Sequence, residues 1–164
     1  MGYTHYWNTP LKDVDQKTWY AITTDFSKVV FSDPKILALL DQEEREEYSQ
    51  KLRITSDEIL FNGVGELSHE TFILERKFTP DIIRPEEKES FGFCKTARKP
   101  YDVCVTACLI IAQHHMEKQL DNYIKVSSDG ETEDWMDGIK LCEKVLGYGF
   151  EYKINSQGEL GAKA

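Results

Sequence analysis

The sequence predicts an α+β fold: a single domain with a mixed, mostly antiparallel sheet, a buried central helix and flanking helices. Three observations carry that expectation. Residues 103–112 are apolar on nearly every side, which marks a helix buried all round. Residues 52–78 change to short runs separated by Ser56-Asp57 and Asn62-Gly63, the pattern of an antiparallel meander. Elsewhere helical and strand rhythms follow one another with no repeat, low-complexity block or second domain. A chain of 164 residues is of single-domain size and can bury a substantial core.

Residues 3–8 have high strand propensity, with Tyr3, His5 and Trp7 on one face and Thr4, Tyr6 and Asn8 on the other. Thr9-Pro10 has the form of an N-cap followed by proline at the first helical position. The spacing of Leu11, Val14, Trp19, Ile22, Phe26, Val29 and Val30 places a helix over about residues 10–30. Ser32-Asp33-Pro34 interrupts it, and a short helix with Ile36, Leu37 and Leu40 follows. The acidic stretch 41–47 is expected to be a solvated surface. Leu52 and Ile54, then Ile59 and Phe61, give two short strands, and 70–78 gives a third. Residues 80–85 form a surface connection, and 91–94 a short strand.

After the buried helix come a strand at 122–127, a turn at Ser128-Asp129-Gly130 and a helix at 131–146. That helix carries acids first and lysines last, in keeping with its dipole, and Gly147 stops it. The section from buried helix to last helix has room for a parallel strand, which needs such a crossover. Residues 150–153 add an edge strand. The domain is expected to span 1–154, with 155–164 as a flexible tail.

Net charge is −9 with a pI near 5.0, and such a field disfavours duplex nucleic acid, which is held by phosphate neutralisation. The first residues lack a basic end followed by an apolar core, so no signal peptide is expected, and no apolar run approaches the ~20 residues of a membrane span. Cys94, Cys104, Cys108 and Cys142 match neither a zinc knuckle nor a disulfide framework and are expected as small core residues in a reducing cytoplasm. His-x-x-x-His, Cys-x-x-Cys, a calcium loop, a Walker loop and a dinucleotide fingerprint are all absent from the sequence, so no cofactor or metal is expected.

The strongest functional signal is the loop before the buried helix. Lys95, Arg98 and Lys99 occur there with no acid among them, and Pro100 suits a helix start. Cations aimed at the exposed amides of a helix N-terminus favour an anion. A surface turn whose charges pair with Glu86, Glu87 or Glu89 explains the same residues. Tyr101 is placed to stack on a base, with the aromatic strand residues Tyr6 and Trp7 as a second stacking surface or as core. Asp129 sits where a strand gives way to a helix, as a hydrogen-bond acceptor for a sugar or as a helix cap. His69 with Glu70 offers an acid and a base, although neighbours on a strand point to opposite faces.

The stretches Gly2-Tyr-Thr-His-Tyr-Trp, Phe61-Asn-Gly, His69-Glu-Thr-Phe, Phe93-Cys-Lys-Thr-Ala-Arg-Lys-Pro-Tyr-Asp and Ser127-Ser-Asp-Gly together resemble a family of small proteins encoded by bacteria and their phages. The resemblance covers roughly residues 2–146. It implies a cytosolic setting and a phage or mobile-element context, and it brings no catalytic residue with it. By analogy with such a context, sequestration of a nucleotide signal or blockade of a host factor becomes a plausible role.

The leading expectation is a binding protein for a phosphorylated small molecule, nucleotide-like, held by Lys95, Arg98, Lys99, Tyr101, Asp129, Trp7, Tyr6 and His69. Oligomerisation would help to enclose such a ligand. A small hydrolase or transferase using His69, Glu70 or Asp129 is the first alternative. An interaction module docking through the acidic face at 41–47 is the second.

Overall fold

In the computed structural model, which describes residues 2–80, 86–116 and 123–162, the chain is an α+β domain with every strand pairing antiparallel. Strands β1 (Thr4–Pro10), β2 (Arg53–Ile54), β3 (Glu58–Phe61), β4 (Phe72–Glu75), β5 (Glu89–Lys95), β6 (Lys125–Ser128), β7 (Tyr152–Ile154) and β8 (Leu160–Ala162) alternate with four helices. These are α1 (Gln16–Val30), α2 (Pro34–Leu37), α3 (Asp102–Met116) and α4 (Thr132–Leu146). The strands form three small sheets, β5-β1-β6, β2-β3-β4 and β7-β8. The mixed sheet with a parallel strand is thus corrected: β6 returns antiparallel to β1, with Tyr6 opposite Ser127 and Trp7 opposite Val126.

The core is built around α3. Eleven of its fifteen residues are buried, so it packs on every side, as its apolar sequence requires. Helices α1 and α4 flank it, each with a single apolar stripe, Trp19, Ile22, Phe26 and Val29 on one and Trp135, Ile139 and Cys142 on the other. Gly138 lies directly against Thr106 of α3, where a Cβ would stand 2.1 Å from the hydroxyl, so only glycine allows this approach. All four cysteines are free and buried. Burial pushes the thiols of Cys94, Cys104 and Cys142 up to about 12, so they remain protonated core groups at neutral pH.

Several local expectations give way to tertiary pairing. Thr9 and Pro10 belong to β1, and α1 begins at Gln16 with Asp15 as its cap, its carboxylate accepting Thr18 N–H at 2.8 Å. Pro10 is tolerated because β6 reaches only to Asn8, which leaves the last residues of β1 with a partner on one side alone. Residues 155–162, expected within a flexible tail over 155–164, complete a hairpin: β8 pairs with β7, and Gln113 Nε2 donates to Leu160 O at 2.8 Å, while 163–164 lie outside the described residues. The connection at 81–85 and the strand start at residue 122 lie outside the described residues.

The acidic stretch is not uniformly solvated either. Asp41 is 1% exposed and accepts from Arg45 and Gln50 side chains and from Glu43 N–H at 3.0 Å. Burial alone raises the carboxyl pKa, but hydrogen bonds from Arg45, the Glu43 amide and Gln50 outweigh it, and the net shift is downward. A carboxyl lowered by folding stabilises the native state above its unfolded pKa, about 3.9, and loses that contribution as pH falls through the folded value. Asp41→Ala is therefore expected to lower unfolding stability by about 1–3 kcal/mol at pH 7, with the deficit shrinking towards pH 3. Denaturant titrations of both proteins across that range measure it, and a pH-independent deficit would show that the charge is not its source.

Candidate functional site

The N-terminal turn of α3, the ends of β1 and β6 and the loop after β5 meet at one carboxylate. Asp102 Oδ1 accepts from Thr96 Oγ1 at 2.6 Å and lies 2.7 Å from His5 Nε2. A carboxylate only accepts, so Nε2 carries the proton and Nδ1 takes the Ser128 hydroxyl at 2.9 Å. Ser128 Oγ in turn receives Gly130 N–H at 3.0 Å and Trp135 Nε1 at 3.1 Å. His5 is fully buried, edge-on to Tyr3 and Trp135 with ring centroids 5.0 Å from each.

Hydroxyl, imidazole and carboxylate follow one another here as they do in a nucleophilic triad. The hydrogen-bond inventory gives them another role. A hydroxyl has one proton and two lone pairs. In Ser128 all are engaged, which leaves no lone pair directed at a substrate. The array is a satisfied polar brace that fixes β1, β6, α3 and α4 together.

The basic loop stands beside this brace. Thr96 N–H donates to Tyr3 O at 3.1 Å and Lys99 N–H to Thr96 O at 3.0 Å. Between them Ala97 and Arg98 both adopt left-handed backbone, with φ of 52° and 58°. Two consecutive non-glycine residues in this region carry strain, which surrounding structure has to hold. Here it turns Arg98 over the Tyr3 ring, with the guanidinium carbon 4.1 Å from the centroid. The guanidinium also donates to Asp134 of α4. Asp134 is held below the usual carboxylate range, first by Glu131 N–H at 2.8 Å and then by Arg98. Burial pushes the Tyr3 phenol up, so it stays neutral.

Between the loop, α3 and α4 lies a concavity of about 180 Å³ lined by Tyr3, Arg98, Lys99, Asp102, Asp134 and Asp137. Its two cations face three carboxylates. The helix amides expected to bind an anion are already used: those of Asp102, Val103 and Cys104 donate to the carbonyls of Lys99, Pro100 and Tyr101. Pro100 precedes α3 by two residues rather than opening it. Charge recognition in the concavity therefore falls to the Arg98 and Lys99 side chains.

The other anticipated ligand residues are dispersed. Lys95 projects from the exposed face of β5, while its backbone is clasped by His69 Nδ1, 2.8 Å from Lys95 O, and by the Glu70 carboxylate, 2.8 Å from Lys95 N. His69 and Glu70 thus share one task, but the target is a peptide unit. Tyr101 is fully buried and donates its hydroxyl to Glu70 O, so the stacking role is replaced by an anchoring one. Asp129 does not cap α4. It accepts Thr4 N–H and the Tyr6 hydroxyl, each at 3.1 Å, on the far side of β1. Trp7 lines a separate cleft.

Sequence reasoning missed Tyr3 as the platform for Arg98, and Asp134 and Asp137 as the opposite wall. The signal for Tyr3 was its place on the buried face of the first strand. In the sequence Asp134 and Asp137 are two of the acids that open the last helix and suit its dipole. Among the described residues no group of three or more His, Cys, Asp or Glu is placed to hold a metal ion, and no helix is long and apolar enough to cross a membrane. No family model, curated protein or solved structure matches the chain.

The brace makes a direct prediction. His5→Leu removes one partner each from the half-buried Asp102 carboxylate and Ser128 hydroxyl, and is expected to cost about 1–3 kcal/mol in denaturant unfolding. A fluorophosphonate probe is expected to leave Ser128 of the native protein unlabelled by mass spectrometry. Adduct formation there would reassign the array as an open nucleophilic site.

Proposed function

We propose that this chain binds a phosphorylated small molecule, with a nucleotide as the leading class, in the concavity between the basic loop and the N-terminal halves of α3 and α4. The observation that carries this reading is the presentation of Arg98. Its side chain is 60% exposed, yet it is oriented by the Tyr3 ring and by the backbone conformation of the loop. A guanidinium fixed in this way loses little freedom when it forms bidentate bonds to phosphate.

Lys99 supplies a second cation on the same wall and is itself steered by Glu66 O, 3.3 Å from Nζ. The carboxylates of Asp134 and Asp137 stand opposite, suited to hydroxyl or amine donors. A ligand bearing both a phosphate and such donors satisfies both walls, whereas inorganic phosphate satisfies one. At about 180 Å³ the space lies below the ~300–1,000 Å³ of drug-sized ligand sites, so it suits a phosphate with its sugar. Lys95, Asp129, Tyr6, Trp7 and His69 lie outside this set.

A thermal-shift screen with mono-, di- and cyclic nucleotides tests the reading. A nucleotide at about 100-fold above its Kd adds about 2.7 kcal/mol of stability, a rise of several degrees for a domain of this size. Arg98→Ala is expected to weaken binding roughly tenfold to a hundredfold while leaving the unliganded Tm nearly unchanged. An absence of any nucleotide-dependent shift, or a shift equal in Arg98→Ala, rejects this site.

A further inference from the structure

The concavity between the basic loop and α4 has cations on one wall and carboxylates on the other, and the carboxylates are not equally engaged. Both oxygens of Asp134 have partners, one the Arg98 guanidinium and the other Glu131 N–H at 2.8 Å. Asp102 uses a single oxygen twice. Its Oδ1 meets Thr96 Oγ1 at 2.6 Å and His5 Nε2 at 2.7 Å, and its Oδ2 has no partner among the described residues. Asp137 is exposed, and among the described residues neither of its oxygens has a partner. It follows Asp134 by three residues on α4, a spacing that puts both on one helix face. Free carboxylate oxygens accept and never donate, so this wall calls for donors alone.

The lining offers little to an aromatic ring. Among the described residues Tyr3 is its one aromatic side chain, and Arg98 already covers that ring, 4.1 Å from the centroid. Tyr101 is fully buried, Trp7 lines another cleft, and the Tyr6 hydroxyl is turned to Asp129. The floor is closed where Gly138 lies against Thr106. A space of about 180 Å³ with this lining suits a phosphate and a sugar and has no surface for a base.

We infer that the portion of the ligand recognised here is ribose 5-phosphate, so that a ribonucleotide is held through its sugar and phosphate whatever its base. Arg98 and Lys99 take the phosphate, and Asp137 accepts the vicinal 2′- and 3′-hydroxyls. The inference rests on the reading of the concavity as a phosphate site and narrows its ligand. A furanose 5-phosphate carries its charge at one end and two neighbouring hydroxyl donors at the other. The two walls present their cations and their free carboxylate oxygens in the same order. A carboxylate can accept such a pair with one oxygen each, and an acidic side chain takes a ribose hydroxyl in dinucleotide sites for the same reason. The open Oδ2 of Asp102 is a further acceptor on the same wall.

Isothermal titration calorimetry with AMP, UMP, ribose 5-phosphate and 2′-deoxy-AMP tests this. The first three are expected to bind within about threefold of one another, and 2′-deoxy-AMP at least about tenfold more weakly, because a charged acceptor loses its donor. Asp137→Asn alters an exposed side chain that holds nothing else, so the fold is expected to persist. The substitution also relieves repulsion of the phosphate, and its readout is therefore the ratio of AMP to 2′-deoxy-AMP affinity, expected to fall to about threefold or less. Arg98→Ala is expected to weaken all four ligands together. Equal binding of AMP and 2′-deoxy-AMP by the unaltered protein overturns the inference, as does an unchanged ratio in Asp137→Asn. Ribose 5-phosphate more than about tenfold weaker than AMP does so too, since the base would then carry the recognition. In each case the phosphate site stands if Arg98→Ala still weakens every ligand. No binding of any of the four, or binding indifferent to Arg98→Ala, removes the phosphate site itself and this inference with it.

Discussion

The carboxylate of Asp102 is the interaction on which the architecture depends. It sits in the first turn of the buried helix, where the dipole and nearby amides favour negative charge. From there it holds Thr96 of the basic loop and His5 of the central strand, and through His5 it reaches Ser128 at the end of β6. Thr96, His5, Ser128 and Asp102 are each hydrogen-bonded within this network, so it is stabilising as a unit and costly to interrupt at any link. The helix start does not wait for an external anion either, because its amides already donate to the carbonyls of Lys99, Pro100 and Tyr101, and of the loop cations only Arg98 and Lys99 line the concavity.

The same brace anchors one half of the molecule, and the other half meets it through a shared apolar core, Trp7 on Phe72 and Phe26 on Phe61 among its contacts. On one side β1, β5 and β6 are tied to α3 and α4 through His5, Ser128 and Trp135. On the other, β2-β3-β4 is joined to that body by the clasp of His69 and Glu70 on Lys95 and by the Tyr101 hydroxyl on Glu70 O. Among the described residues main-chain pairing between β4 and β5 does not continue past the clasp, and a cleft lies beyond it. The concavity at Arg98 and the cleft at Trp7 therefore arise from one arrangement: β1 has its His5 end in the brace and its Trp7 end at the seam.

The elements with a strong internal period were legible. An all-apolar run can only be a buried helix, and α4 announces itself by its charge polarity and terminal glycine. Thr9-Pro10 misled because its local chemistry suits a helix start equally well, and only the long-range pairing with β5 decides for a strand. Asp41 was hidden in an acidic run whose other members are exposed, since composition does not tell which carboxylate a nearby Arg45 and Gln50 will enclose. The site was legible as a loop and illegible as a geometry. Lys95, Arg98 and Lys99 are near neighbours in sequence, but strand alternation sends the first to the open sheet face, and left-handed turn residues send the second onto Tyr3. Tyr101, the aromatic best placed on paper to stack, is the one that anchors the loop from below.

The sign of the charges around Arg98 constrains what the concavity can hold. A purely basic site would bind any polyanion, and salt would govern its affinity. Here Asp134 already satisfies the guanidinium, and Asp102 and Asp137 complete an acidic wall within the same small space. An incoming phosphate has to take Arg98 from Asp134, which is itself held in place by the first turn of α4 through Glu131 N–H. A bare anion gains little from that exchange, because it leaves a carboxylate without its partner. A ligand that brings its own donors to Asp134 restores the lost contact while its phosphate engages Arg98 and Lys99. If the proposed ligand class is right, such a site would discriminate by requiring both halves of the ligand at once, a requirement that follows from charges the fold brings together and the linear sequence keeps 36 residues apart.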